Sequence, residues 1–183
     1  LEDERTKRLP AGAHGIPRDV VERNQRERLI AAMAEVCAER GYAAASVADI
    51  TRQAGVSTAS FYRQFADKRE CMLASFAELF ERLLEEVERT CKAETEPAAK
   101  AQAAIGTAIE LLGADLPTAR LLTVEVLATG EEGVRLQHEA IERVASRLEI
   151  EWAQTAAMFA LVARSAIRGE KPSVSDLIES WRR

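Results

Sequence analysis

Between residues 46 and 68 the chain reads SVADITRQAGVSTASFYRQFADK, and this order of caps, apolar positions and one glycine admits few folds. Ser46 is suited to cap a helix, its side-chain oxygen meeting a free backbone N–H. Val47, Ile50 and Ala54 fall at i, i+3 and i+7, an apolar stripe on one helix face. Gly55 follows, the residue that most cheaply takes the left-handed conformation ending a helix. Val56 plugs the corner and Ser57 is a second cap. The next helix carries Phe61 and Phe65 at i and i+4, which pin it against the first. The segment reads as a helix-turn-helix, a motif whose second helix enters a DNA major groove. A generic helical hairpin would share the Gly-terminated helix and its Ser-capped successor.

The second helix has a surface suited to nucleic acid. At roughly 100° per residue, Phe61 and Phe65 point inward, while Ala59, Ser60, Tyr62 and Arg63 point outward or sideways. Thr58 lies at the exposed N-terminal turn. Short polar groups suit base edges and phosphates, Arg63 has the reach for a guanine or a phosphate, and Tyr62 offers a hydroxyl on a rigid ring. From Ile50 to Ala66 there are two arginines, Arg52 and Arg63, and no acid that would repel phosphate. Asp67 caps a further helix and places Lys68 at its N-terminus, against the helix dipole. A phosphate bound there would resolve that conflict.

Specific residues carry a resemblance: Gly41-Tyr42, Ser46-Val47, Asp49-Ile50, Ala54-Gly55-Val56-Ser57, Phe61-Tyr62, Phe65 and Lys68. In residue type and spacing, the stretch from about Arg23 to Met72 closely resembles the N-terminal domain of the TetR family of transcriptional regulators. Thr58-Ala59 stand where Lys-Gly is common in that family, so no operator sequence carries over. The resemblance implies a three-helix DNA-binding domain, then a helical domain that binds a ligand and dimerises through its last two helices.

Composition agrees with an all-α chain. It is rich in Ala, Leu, Glu and Arg, good helix formers, with nine glycines, five prolines and no alternating run that suggests a sheet. The net charge of −5 on its own argues against DNA, but its distribution matters more. Residues 1–70 hold 12 Lys and Arg against 11 Asp and Glu, while the remainder is acidic. That suits a protein touching DNA with one end. Cys37, Cys71 and Cys91 are far apart without a Cys-x-x-Cys spacing, and read as buried reduced thiols of a cytoplasmic protein. No signal peptide or membrane-length apolar run is seen. The two histidines, His14 and His138, have no carboxylates spaced around them as metal ligands, so neither metal nor cofactor is expected.

Three regions are expected: an arm over residues 1–16, a helix-turn-helix domain over 17–66, and a helical regulatory and dimerisation domain over 67–183. In the arm, Arg5, Lys7 and Arg8 either lie in a flanking minor groove or belong to a solvated tail. The first helix runs from Pro17 to Arg40 and buries Leu29, Ile30, Met33, Val36 and Cys37. The fourth, from Asp67 to about Lys92, carries Met72, Leu73, Phe76, Leu79, Phe80, Leu83, Leu84 and Val87 at helical spacing as its apolar stripe. It is long enough to join two domains, so that a change at one end tilts the other. Beyond it, helices are expected at about 98–112, 118–128 and 131–148, with a turn over 113–117. RLEIEWAQ joins the last of these to a further helix with almost no loop, shorter than related chains commonly have, which suggests a missing stretch near residue 150. A last helix is expected from Val174 to Trp181, and Ala156, Ala157, Ala160, Ala163 and Ala166 allow close helix packing between copies.

The functional expectation is a ligand-released repressor that binds a palindromic operator as a homodimer. Ser46, Tyr62 and Lys68 would sit on phosphates, and Thr58, Ala59, Ser60 and Arg63 would read or flank bases, with Ser57 at the helix cap. Leu79, Leu83, Leu122, Glu125, Met158 and Phe159 are candidates for lining a small-molecule effector site. Glu125 sits in apolar company and needs a partner, either a ligand or an arginine such as Arg120 or Arg164. Two other classes remain. An adaptor that keeps the fold without binding DNA is one. A helical-bundle enzyme is the other, although no nucleophile–base pair or phosphate-cradling loop appears.

Overall fold

The computed structural model describes residues 17–92 and 94–173, and among them the secondary structure is entirely helical. The arm over 1–16 and the helix expected at Val174–Trp181 lie outside the described residues. The chain divides into two compact units after Ser75, within the fourth helix.

In the first unit, α1 spans Arg18–Arg40, α2 Val47–Ala54 and α3 Thr58–Gln64. Pro17 stands immediately before α1, where its fixed φ helps and its missing N–H costs nothing. The expected stripe of α1 is buried, from Leu29 to Cys37, joined by Ala32 and Ala34. Both α2 and α3 pack on it. Phe61 and Phe65 close this core with their rings 5.6 Å apart, and both are almost fully buried. Burying each contributes about 2–3 kcal/mol. Arg26 lays its guanidinium 4.7 Å from the centre of the Phe65 ring, covering its outer side.

Helix α4 spans Lys68–Cys91, capped by Asp67, whose carboxylate accepts from the Glu70 N–H at 2.8 Å. Its first turns belong to the first unit. In the second unit α5 spans Pro97–Ala114, α6 Leu116–Thr123, α7 Glu131–Leu148 and α8 Trp152–Arg168, with a 3-10 turn over Glu125–Thr129. Two expectations are corrected here. Residues 113–117 are not a turn: α5 runs through Gly113, and Asp115 at once caps α6 by accepting from Thr118 N–H at 3.1 Å. Pro117 sits in the first turn of α6, where no donor is needed. Nor does that helix reach Ala128. It stops at Thr123, and the side-chain amide of Gln137 takes the carbonyls of Leu122 and Thr123 at 3.0 and 3.1 Å. Those are helix-end acceptors that would otherwise lack a donor.

The link between α7 and α8 is only residues 149–151. Glu149 takes the left-handed conformation at φ 57°, and Ile150 returns its N–H to Ala145 at 3.0 Å. This helix-ending arrangement turns the chain within those three residues.

Candidate nucleic-acid interface and apolar cavity

The polar ends of α2 are both held by α1. At its N-terminus Ser46 accepts from the Asp49 N–H at 3.1 Å, and Asp49 accepts from the Ser46 N–H at 3.2 Å, a reciprocal capping box. The Asp49 carboxylate also meets Arg52 at 3.0 Å and Arg40, at the end of α1, at 3.5 Å. The Ser46 hydrogen bond, then these arginines, hold the Asp49 carboxyl below its ordinary value. At the C-terminus Arg28 donates to the carbonyls of Ala54 and Gly55, the latter at 3.0 Å. A cation at that end also opposes the negative pole of the helix. Sequence reading missed Arg28 because its partners lie 26 and 27 residues away.

Helix α3 is set against this frame. Ser57 caps it, accepting from the Ser60 N–H at 3.0 Å. At its far end Gln64 donates to the Glu22 carbonyl at 3.0 Å. With Phe61 and Phe65 inward, Thr58, Ala59, Tyr62 and Arg63 are exposed, and Tyr62 presents 56% of its surface. The Tyr62 ring stands edge-on to Phe61 at 5.4 Å, which fixes the plane in which its hydroxyl projects. Ser46 and Ser57 are exposed beside them. Thr58, Ala59, Tyr62 and Arg63 form an exposed face of α3 that carries no acidic side chain.

Two expected DNA contacts are placed differently. Ser60 does not point outward. It is buried, takes a hydrogen bond from Ser57 Oγ at 2.9 Å and another from Arg63 Nη2 at 2.7 Å. It therefore positions Arg63 and the cap. Nor does Lys68 wait for a phosphate. Its ammonium donates to the carbonyls of Tyr42 and Ala45 at 2.7 and 2.8 Å and lies 4.3 Å from the centre of the Tyr42 ring. The conflict with the helix dipole is settled internally, because two carbonyls and a ring face outweigh it. Burial, with Asp67 nearby, raises the Tyr42 hydroxyl above its ordinary value.

In the second unit a cavity of about 30 Å³ lies between α4, α5, α6, α7 and α8. Leu83, Leu122, Met158 and Phe159 line it, together with Phe80, Ile105 and other apolar side chains. Leu79 and Glu125 are not among its walls. Glu125 is instead buried against Arg120, whose Nε donates to it at 2.7 Å, and this internal pair corrects its candidacy as a ligand contact. The hydroxyl of Thr123, the one polar side chain in the lining, is spent on the Ala119 carbonyl at 2.7 Å.

The three cysteines are buried thiols, and burial pushes Cys71 up to about 12. Among the described residues no group of metal-binding side chains comes together, and no helix is long and apolar enough to cross a membrane.

Comparisons with known proteins agree with this geometry. Residues 29–75 match the family model described as bacterial regulatory proteins, tetR family. The chain is 29% identical over 124 residues to the HTH-type transcriptional activator FasR of Mycolicibacterium smegmatis (strain ATCC 700084 / mc(2)155), covering 66% of this chain. It spans 55% of that relative's length. Among solved structures, the fatty acid degradation regulator FadR from Bacillus halodurans superposes with a TM-score of 0.69 at 19% identity, over 78% of this chain and 88% of that one. FadR from Bacillus subtilis, solved in complex with stearoyl-CoA, gives 0.61 at 21% identity over 76% and 84%. Both show the same fold. The similarity to the tetR family of bacterial regulatory proteins thus lies in residues 29–75, which hold the helix-turn-helix.

Proposed function

We propose that the protein is a ligand-released repressor that binds an operator of near-palindromic sequence as a homodimer. One observation carries the reading: an acid-free face of Thr58, Ala59, Tyr62 and Arg63, presented by a helix whose inner side is locked by Phe61 and Phe65. Thr58, Ala59 and Arg63 read or flank bases, and Ser46, Ser57 and Tyr62 hold phosphates. Two copies on a two-fold axis would contact half-sites about 34–36 Å apart. The outer face of α8, where Ala153, Ala160 and Ile167 are exposed, offers small and apolar side chains for packing between copies.

The effector in this account carries a long apolar chain. Supporting it are the hydrocarbon lining of the cavity and the stearoyl-CoA bound by the Bacillus subtilis relative. At about 30 Å³ the cavity has room for no more than a water-sized void, so a chain must push its walls apart. That expansion couples binding to shape. The effector releases DNA if it binds the non-DNA arrangement more tightly than the DNA-bound one.

Selection from a random duplex pool tests the reading. Enrichment of an inverted repeat with centres one helical turn apart is expected, and loss of retention when a long-chain acyl thioester is added. A pool that stays random would overturn the DNA assignment and favour the adaptor alternative.

A further inference from the structure

Ser60 is 5% exposed, yet its hydroxyl reaches the one cation of α3. Arg63 donates from Nη2 to Ser60 Oγ at 2.7 Å, and Ser57 Oγ donates to the same oxygen at 2.9 Å. Ser57 is itself fixed, because it accepts the Ser60 N–H at 3.0 Å as the cap of α3. Both lone pairs of Ser60 Oγ are thereby used. Among the described residues no carboxylate pairs with Arg63, so a neutral hydroxyl orients it and its charge is left for a ligand. We propose that Ser60 is a positioning residue, which draws Arg63 back along α3 to read one guanine in each half-site rather than grip a phosphate. This inference rests on the DNA-binding reading of α3.

Position along the helix decides between the two contacts. Arg63 is the sixth of the seven residues of α3, near its C-terminal end. A recognition helix meets base edges mainly through its N-terminal residues. Ser60 stands three residues back, about 4.5 Å along the axis. That exceeds the ~3.4 Å between neighbouring bases on a strand. The tether therefore brings the guanidinium toward the end of α3 that reads bases. Thr58 and Ala59, exposed and short, leave it room there. The donor count fits as well. Of the guanidinium's N–H groups, one goes to Ser60, and the rest still include a complete two-donor edge. Guanine presents N7 and O6 as the matching pair of acceptors in the major groove. A side chain already held in place also loses less freedom on binding, which favours a contact of defined geometry.

The experiment uses the full chain and a duplex selected from a random pool, with each guanine replaced in turn by 7-deazaguanine, which lacks N7. For wild type, one guanine per half-site should be sensitive, its replacement weakening binding by at least about fivefold, the lower end for a bidentate contact. Arg63→Ala should erase that sensitivity. Ser60→Ala should lower it about two- to tenfold, the effect of one hydrogen bond, and Ser60→Thr, which keeps the hydroxyl, should restore it. A merely structural role for Ser60 would weaken all duplexes alike and single out no guanine. If thermal melts show that Ser60→Ala does not fold, Ser60→Cys replaces it, its thiol being a weak acceptor of similar shape. If Arg63→Ala weakens every duplex equally, Arg63 grips phosphate. If Ser60→Ala keeps the wild-type sensitivity, the tether has no part in reading. Either result overturns the inference while DNA binding stands. If wild type prefers no duplex, the reading of α3 falls with it.

Discussion

Arg28 fills the space that a β-carbon on residue 55 would need. Its Nη2 donates to the Gly55 carbonyl at 3.0 Å and would stand 2.6 Å from that added atom. Gly55 itself lies at φ 57° and ψ 39°, a left-handed conformation that a side chain makes costly. Glycine at 55 and arginine at 28 therefore form one device, closing α2 and setting the angle at which α3 leaves it.

Gly55→Ala should destabilise the first unit by about 1–2 kcal/mol from backbone strain, with a further loss if Arg28 is displaced. Arg28→Ala should cost about 1.5–3 kcal/mol, the range for hydrogen bonds to a charged group. Because both act on one contact, the double variant should cost less than their sum. Urea denaturation of the four proteins checks this.

Gly133 makes a different close approach. A β-carbon there would run into the backbone carbonyl of Val126 and into Thr129 Oγ1, neither of which is the free end of a long side chain. Gly133→Ala should destabilise the second unit by about 3 kcal/mol. Hydrogen exchange should locate the loss in α7 and in the 3-10 turn over Glu125–Thr129, with residues of α2 and α3 protected as before.

Arg63 and Lys68 should separate in DNA binding although both are cations. Arg63 is exposed, so Arg63→Ala should weaken binding by about 1–3 kcal/mol if it reads a base, and leave the melting temperature nearly unchanged. Lys68 is spent on Tyr42 and Ala45, so Lys68→Met should lower the melting temperature and leave the salt slope of binding intact. Tyr62→Phe should weaken binding modestly without loss of fold. Anisotropy titrations at several salt concentrations, with parallel melts, distinguish the three.

Asp49 predicts a pH dependence. Its folded value is depressed, by the Ser46 hydrogen bond first and then by Arg52 and Arg40. On acidification the unfolded chain takes up that proton before the folded one does. The stabilisation is therefore full above the ordinary carboxylate value of 3.8 and is lost as pH falls through the lower folded value. Wild type should exceed Asp49→Asn in stability at about pH 6, and the difference should shrink toward about pH 3. Denaturation across that range measures it.

Much of the first unit was legible because its signals are local. Ser46, Gly55, Ser57 and Asp67 are caps that act within three or four residues, and Phe61 and Phe65 declare their face by spacing alone. What escaped depends on distant partners. Arg28 finds α2 across 27 residues, and Lys68 finds the carbonyls of Tyr42 and Ala45 more than 20 residues back. Ser60 looked like a surface position by helical angle, but the short α3 turns it toward Ser57 and Arg63. In the second unit, Gly113 and Pro117 suggested a turn, while Asp115 between them was already a helix cap. The cavity was only half legible, since Leu79 and Leu83 read alike on α4 and only packing decides which one faces a void.

The most direct test is the affinity of the chain for its selected duplex as a function of salt, for wild type and Arg63→Ala. The account predicts sequence-preferring binding of an inverted repeat that weakens steeply with salt. It also predicts that Arg63→Ala binds less tightly while melting at the wild-type temperature. Binding equal on selected and scrambled duplexes, or unchanged by Arg63→Ala, would contradict it.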